Sequence, residues 1–465
     1  MPREADASST LTFDLLRHVA KVANSHLATR DVEAVRRLFL DCFLVSLWGS
    51  TRPAAKQLVQ WSARFDGTGP CPILGGASQT DASIAALVFG TAGHSYELDD
   101  THDETASHPG CVVIPAALAV GAETGASQEQ LFRAVAAGYE AMALVGCAAG
   151  GMDTVQNGFH PTSVFGSFGA ATACGCLYAF ADGEPVEEEM LATAWGHALS
   201  QACGSMQFSV EPRGGEVKRL HAGLGARNGV LAAQFARLPA MTTPHQTVDG
   251  SYGIAGMFGG TLRQVEPSAE LQLHVISLKP YACCRLFHST IDALAEITDN
   301  FSVDAASIAD IMITGPRLIA AQHMTPAQST MTAQYSCPFV VGATLAYGPT
   351  RYDAYGEDHL DDPAILDIAA KVRFEIDEEL ERKYYPKQFA TGATIRFKDG
   401  STRSAMVVDS VGTARNPMTR AQILAKGDGL GSLGKLPLGE DLAKAIWDGS
   451  QGAAALLAAI ASRQD

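Results

Sequence analysis

"ATIRFKDGSTRSAMVV", residues 393–408, is the stretch that decides the fold. Its apolar and polar residues alternate on both sides of Asp399-Gly400, and an Asp-Gly pair between alternating runs predicts a β-hairpin. "SIADIMITGPRL", residues 307–318, alternates like a further strand. Between these lie two helix-like stretches, "STIDALAEITDNF" (289–301) and "CPFVVGATLAYG" (337–348). Strands and helices mixed in this way predict an α+β lobe over residues 267–409.

Outward from that lobe the text is helical. In "DVEAVRRLFLDCFLVSLWG" (31–49), Val35, Leu38, Phe39, Cys42 and Val45 recur at helical spacing, with Asp31 expected as N-cap and Gly49 as the stop. "SQEQLFRAVAAGYEAMALVGCAAG" (127–150) opens with Ser127 and Gln130 at capping-box spacing. "TSVFGSFGAATACGCLYAFADG" (162–183) puts Gly166, Gly169 and Ala173 near one face, where small residues let helices approach closely. "GEDLAKAIWDG" (439–449) and the Ala-rich end return to helix. The expected fold is therefore mainly α: a large helical domain over 1–266, the α+β domain over 267–409, and a helical return over 410–465.

Composition narrows the function. The 465 residues are 47% hydrophobic and 18% charged, and 34 basic against 50 acidic residues give a net charge of −16. That field repels a polyphosphate backbone and an anionic membrane surface, so neither nucleic acid nor membrane is an expected partner. An anionic substrate has to be drawn in by a few local cations. The start, "MPREADASSTLTFDLL", has no apolar signal core, and no run of about 18 apolar residues is expected to span a bilayer. Ten cysteines without a CxxC point to reduced core thiols and a cytoplasmic protein.

Four segments concentrate ionisable side chains among apolar or Gly-rich neighbours: "HSYELDDTHDETASHPG" (94–110), "NGFHPTSVFG" (157–166), "GGEVKRLHAGLGARNG" (214–229) and "LKPYACCRLFHS" (278–289). The first packs three histidines and five carboxylates into seventeen positions. Its spacing lacks the HExxH pattern, so the expectation is a loop whose carboxylates orient imidazoles, with no metal. In the second, His160 precedes a helix start, as either a packing residue or a catalytic one. Lys218, Arg219 and Lys279 are either solvated cations or substrate ligands, and Cys283-Cys284 reads as core.

Taken together and in order, "GHSYELDDTHDETASHPG", "GFHPTSVFG", "GEVKRLHAGLGARNG" and "KPYACC" resemble the MmgE/PrpD family, over nearly the whole chain from about Leu15 to Ala425. The family includes 2-methylcitrate dehydratases, cis-aconitate decarboxylases and iminodisuccinate epimerases. The resemblance implies an all-helical large domain, an α+β lid domain, an active site in the cleft between them, a homodimer, and chemistry without metal or organic cofactor. By motif position, His108 is implied as the principal acid/base group, with Asp99, Asp100 and Thr101 as its loop partners. His160, Lys218 and Lys279 are implied as cationic or proton-donating groups around substrate, and Tyr335 of "TAQYS" as a lid-side site residue. Glu97 stands where decarboxylases commonly carry aspartate.

Departures from the family sort its reactions. Between Thr101 and His108 there is no long insertion of the kind found in 2-methylcitrate dehydratases of the PrpD branch. Cys284 stands where animal decarboxylases have a histidine, leaving that role vacant or passing it to Arg285 or His288. The reading that follows is a cofactor-free lyase for a small anionic carboxylate, with cis-aconitate decarboxylation first. A 2-methylcitrate-type dehydratase, an iminodisuccinate-type epimerase and a non-catalytic dimeric binding protein are the alternatives.

Overall fold

The structure, a computed structural model, describes residues 10–301, 304–321, 326–434 and 439–462. The chain is mainly α, with a large helical domain and a smaller sheet-containing domain. The body is built around the helices Ala82–Gly93, Gly110–Thr124, Gln128–Ala149, Pro161–Asp182 and Val217–Ala236. Their small residues allow near contact of backbones: a Cβ on Gly138 would lie 2.8 Å from the Gly169 carbonyl, and one on Gly166 2.9 Å from Val112. Interiors packed to crystal-like density leave no room for an added methyl there.

Two of these helices, Gln128–Ala149 and Pro161–Asp182, are long and apolar enough to cross a membrane, contrary to the expectation that no segment would be. In each, 89% of the apolar window is buried inside the fold, so the apolarity is used against other helices of the same chain. Ser127 and Gln130 do form the capping box, at 3.2 and 2.9 Å. Asp31 is not an N-cap: its helix runs Thr29–Ser50 from a cap at Ala28, and Asp31, in the first turn, accepts from Ala28 N at 3.2 Å. Nor does Gly49 stop that helix; it is glycine because a Cβ would strike the Ala92 carbonyl.

The smaller domain holds a four-stranded sheet in the order Val372–Ile376, Ile308–Gly315, Thr391–Phe397, Thr402–Val407. The first pair is parallel and the other two are antiparallel. The hairpin pairs Arg396 with Thr402 and turns through Asp399 and Gly400, where Gly400 adopts φ +88° and the Asp399 carboxylate accepts from Ser401 N at 2.8 Å. Strand residues Ile311 and Ile313 are buried, and with Ile395 they join a core shared with Leu294 of the helix His288–Ile297. Val45, Trp48, Tyr96, Leu98 and Leu430 of the helical parts enter this second core, so the chain around residues 96–98 lies on the seam between the two domains. The C-terminal helices Arg420–Gly434, Glu440–Trp447 and Ala453–Ala461 return to the body, whose core takes in Ile423, Leu442, Ile446, Leu456 and Ile460.

Candidate active site

The seam segment begins where the helix Ala82–Gly93 stops and ends where Gly110–Thr124 starts. Asp100 fixes its far end: one carboxylate oxygen accepts from Gly110 N and the other from the Tyr139 hydroxyl, both at 2.8 Å. A Cβ on Gly110 would lie within 2.9 Å of that carboxyl group, so only glycine fits. Burial pushes the Asp100 carboxyl up to about 7 despite both donors. Two residues before Gly110, His108 Nδ1 sits 2.7 Å from the Asp100 carbonyl and 3.2 Å from Thr101 Oγ1. A carbonyl can only accept, so Nδ1 carries the proton and Nε2 is the free basic end of the ring.

Asp99 lies behind this imidazole. Its Oδ2 is 3.5 Å from His108 Nδ1, 2.7 Å from His94 Nδ1, and accepts the Cys111 thiol at 3.2 Å. Burial works against the Asp99 charge, but His108, His94 and Lys279 outweigh it and hold the carboxyl well below its usual range. His108 itself is pushed down to about 3, by burial first and against the pull of Asp99. Among the described residues, His94, Asp99 and Cys111 also bring three possible metal-ligand atoms within 4.8 Å of one another. Asp99 here accepts from both neighbours, and burial holds the Cys111 thiol firmly protonated, so the donor chemistry of the trio is that of a hydrogen-bonded support for Asp99. Of the segment's other ionisable groups, His102 bonds Thr105 and Gln272 and Glu104 is exposed, whereas Asp103, which accepts from Ser277, borders the same cavity as His108.

The cations converge on Glu97. Lys218 and Arg219 open the helix Val217–Ala236, and both reach Glu97 Oε1, Arg219 at 2.5 Å and Lys218 in close contact. Lys279 Nζ and the Tyr335 hydroxyl are each 3.5 Å from Oε2, and Lys279 is 3.7 Å from Asp99 Oδ1. Burial penalises the Glu97 charge, yet Lys218, Lys279 and Arg219 together hold it well below the carboxylate range. For Lys218 burial wins over Glu97 and its ammonium is lowered, whereas Glu97 and Asp99 overcome burial and raise Lys279. Lys218 is thus the more readily deprotonated of the two lysines.

On the other wall, His160 precedes the helix Pro161–Asp182, with its Nδ1 3.1 Å from His221 Nδ1. One ring must donate to the other, so the pair shares a single proton on that edge. Burial, reinforced by His94 and Lys218, holds His160 well below its ordinary value, and burial lowers His221 to about 4.

These walls enclose a cavity of about 150 Å³. Glu97, Thr101, Asp103, His108, His160, Lys279, Arg285 and Tyr335 line it, together with Cys284 and an apolar remainder that includes Met152, Met206, Phe208, Leu318 and Phe389. The volume is below the ~300–1,000 Å³ of drug-sized sites and suits a small metabolite. Lys218, Asp99 and Asp100 stand behind the lining. His288 does not line the cavity; it is buried against Tyr281 with Nε2 3.4 Å from the Cys283 carbonyl. Arg285 is held by Ser410 Oγ at 2.9 Å and Asp103 at 3.3 Å. Burial and Glu97 push the Cys284 thiol up to about 11, which leaves it a neutral wall group. Sequence reasoning gave no role to His94, Gln334 or Lys426, which reach the same segment, or to His221, which meets His160, and it left Arg219 as either a solvated cation or a substrate ligand; the density of histidines was the one signal that could have flagged His94 and His221.

The MmgE/PrpD N-terminal domain matches residues 14–264 and the MmgE/PrpD C-terminal domain residues 281–433. A cis-aconitate decarboxylase of Aspergillus terreus is 26% identical over 450 residues, spanning 91% of this chain and 89% of its own. A cis-aconitate decarboxylase-like protein of Aspergillus oryzae is 27% identical over 428 residues, spanning 86% of each. With both domains matched, and decarboxylases, which are lyases, among its relatives, the chain belongs to the MmgE/PrpD family.

Proposed function

We propose that the chain is a cofactor-free lyase for a small di- or tricarboxylate, acting as a cis-aconitate decarboxylase. The carrying observation is the juxtaposition, in the lining of one small cavity, of an imidazole with a free Nε2 and the buried cations Lys279 and Arg285. Decarboxylation of cis-aconitate breaks the bond between the CH2 carbon and its carboxylate. The electron pair shifts the double bond to that carbon, negative charge builds on the former alkene carbon and its carboxylate, and one proton taken up there gives itaconate. In this reading Lys279 and Arg285 hold the substrate carboxylates and His108 delivers the proton, with Tyr335 or Lys218 as relays.

A neutral His108 must first be protonated. A bound polyanion raises its affinity for a proton, because a negative charge beside an imidazole favours the imidazolium. Asp99 stabilises the charged ring once formed, and the Asp100 carbonyl keeps Nε2 as the end that faces the reaction. Eight buried thiols among ten free cysteines fit a reducing, cytoplasmic compartment. The test is incubation with cis-aconitate, 2-methylcitrate, citrate and iminodisuccinate, with products read by mass spectrometry. Carbon dioxide and itaconate from cis-aconitate are expected; water loss from 2-methylcitrate alone would make it a dehydratase.

A further inference from the structure

Three carbonyls in the turn that carries Glu97 are held by side chains from three distant parts of the chain. Arg219 donates to the His94 carbonyl at 3.4 Å, Gln334 Nε2 to that of Tyr96 at 3.0 Å, and Lys426 Nζ to that of Leu98 at 2.8 Å. Lys426 comes from the C-terminal helix Arg420–Gly434 and also donates to Asp41 Oδ1 at 2.7 Å, in an ion pair whose two side chains are each 1% exposed. Glu97 sits inside the turn at φ +55°, a left-handed conformation that a residue with a Cβ keeps only where its surroundings over-determine it. Leu98, whose carbonyl Lys426 grips, separates the two carboxylates that face Lys279.

A buried ion pair is weak evidence for stability, since well-packed apolar residues serve as well or better. This one is not arranged to satisfy Asp41, whose Oδ2 has no partner. The second strong bond of Lys426 goes to the turn instead. We propose that Lys426, held by Asp41, is a positioning residue that pins the Glu97–Asp99 turn and couples the C-terminal helix to the active site. The proposal rests on reading the cavity as the catalytic site. Lys426 does not line that cavity, so its effect runs through the turn.

The test uses the full chain with Asp41→Leu and Lys426→Met combined, which removes both charges together and leaves no unpaired ion. Backbone hydrogen exchange, measured without substrate, should quicken by about tenfold or more across residues 94–101 and stay unchanged in the helix Gln128–Ala149. With cis-aconitate, kcat should fall by about tenfold or more while KM moves by less than about threefold, and Lys426→Arg should recover part of the loss. In a Glu97→Gln background the double variant should change kcat by less than about threefold, because effects that act through one group do not multiply. Unchanged exchange at 94–101, or losses that multiply fully with Glu97→Gln, would overturn the proposal. If the unaltered protein turns over no carboxylate, the decarboxylase reading falls, while the exchange measurement still decides the role of Lys426.

Discussion

Replacing Glu97 by glutamine should make the free protein less stable and its anion complex tighter, two effects of opposite sign. Glu97 is buried against Lys218, Arg219 and Lys279, so removing its charge leaves three buried cations offset mainly by Asp99 beside Lys279 and by Glu216 near Arg219. Breaking a buried pair in this way costs ~3–5 kcal/mol, and the amide oxygen that still accepts from one cation places the loss near the lower bound. The same change removes a carboxylate facing any incoming carboxylate. Two unit charges ~4 Å apart repel by ~4 kcal/mol at an effective dielectric of about 20. Solvent and side-chain adjustment in a cavity open to ligand reduce this to about 1–2 kcal/mol, a gain of roughly 5–30-fold in affinity. The assay is thermal unfolding with and without propane-1,2,3-tricarboxylate, which lacks the double bond needed for the allylic shift. Because a ligand stabilises by RT ln(1 + [L]/Kd), a tenfold tighter complex adds about 1.4 kcal/mol at saturating ligand. A variant as stable as the parent, or one whose ligand-induced shift is equal or smaller, would refute the assignment of Glu97 as a charge that competes for the cradle.

Other outcomes follow from the same geometry. His108→Gln should lower kcat by ~10²–10⁴-fold, the range of general acid–base catalysis, with unfolding temperature nearly unchanged; an undiminished rate removes His108 from the chemistry. Cys284→Ala should leave kcat within about threefold, because the thiol at about 11 is uncharged at neutral pH, and a large loss would mean the thiolate is used. Stability should fall on acidification from pH 7 to 5. His108 and His221 are depressed in the fold to about 3 and about 4, so the unfolded chain binds their protons first, and their contribution, full above about 6.5, is lost as pH falls. Asp100, raised to about 7, acts in the opposite direction, its contribution being lost as pH rises, as do Asp41, Glu123 and Asp292, which burial also raises, but burial lowers His94, His102, His160 and His288 as well and these add to the histidine side. A melting temperature that rises between pH 7 and 5 would contradict this account.

What the sequence revealed was local. The alternation around Asp399-Gly400 and the Ser127 box are short-range patterns, and both appear in the structure. Asp31 failed as an N-cap because a side chain three residues inside a helix can bond the same backbone end, and the two positions read alike. The cation set was legible as residue types, but its occupant was not: Lys218 and Glu97 are 121 positions apart and Lys279 and Glu97 are 182. Lys426 lies 385 positions from Asp41 and reads in "AQILAKGDGLG" as an ordinary surface lysine. Adjacent helical residues point apart, so Arg219 was not expected beside Lys218 at one carboxylate oxygen; they meet there because Glu97 sits over the first turn of their helix.

His108 is proposed to protonate the former alkene carbon of a carboxylate as carbon dioxide leaves. This role is tested most directly by incubating the protein with cis-aconitate in deuterated water and reading products by mass spectrometry and proton NMR. Carbon dioxide and itaconate in equal amounts, one deuterium on the saturated CH2 of itaconate, and loss of both products in His108→Gln are expected. Unchanged cis-aconitate alongside dehydration of 2-methylcitrate, or deuterium exchange into a dicarboxylate without loss of carbon dioxide, would contradict it.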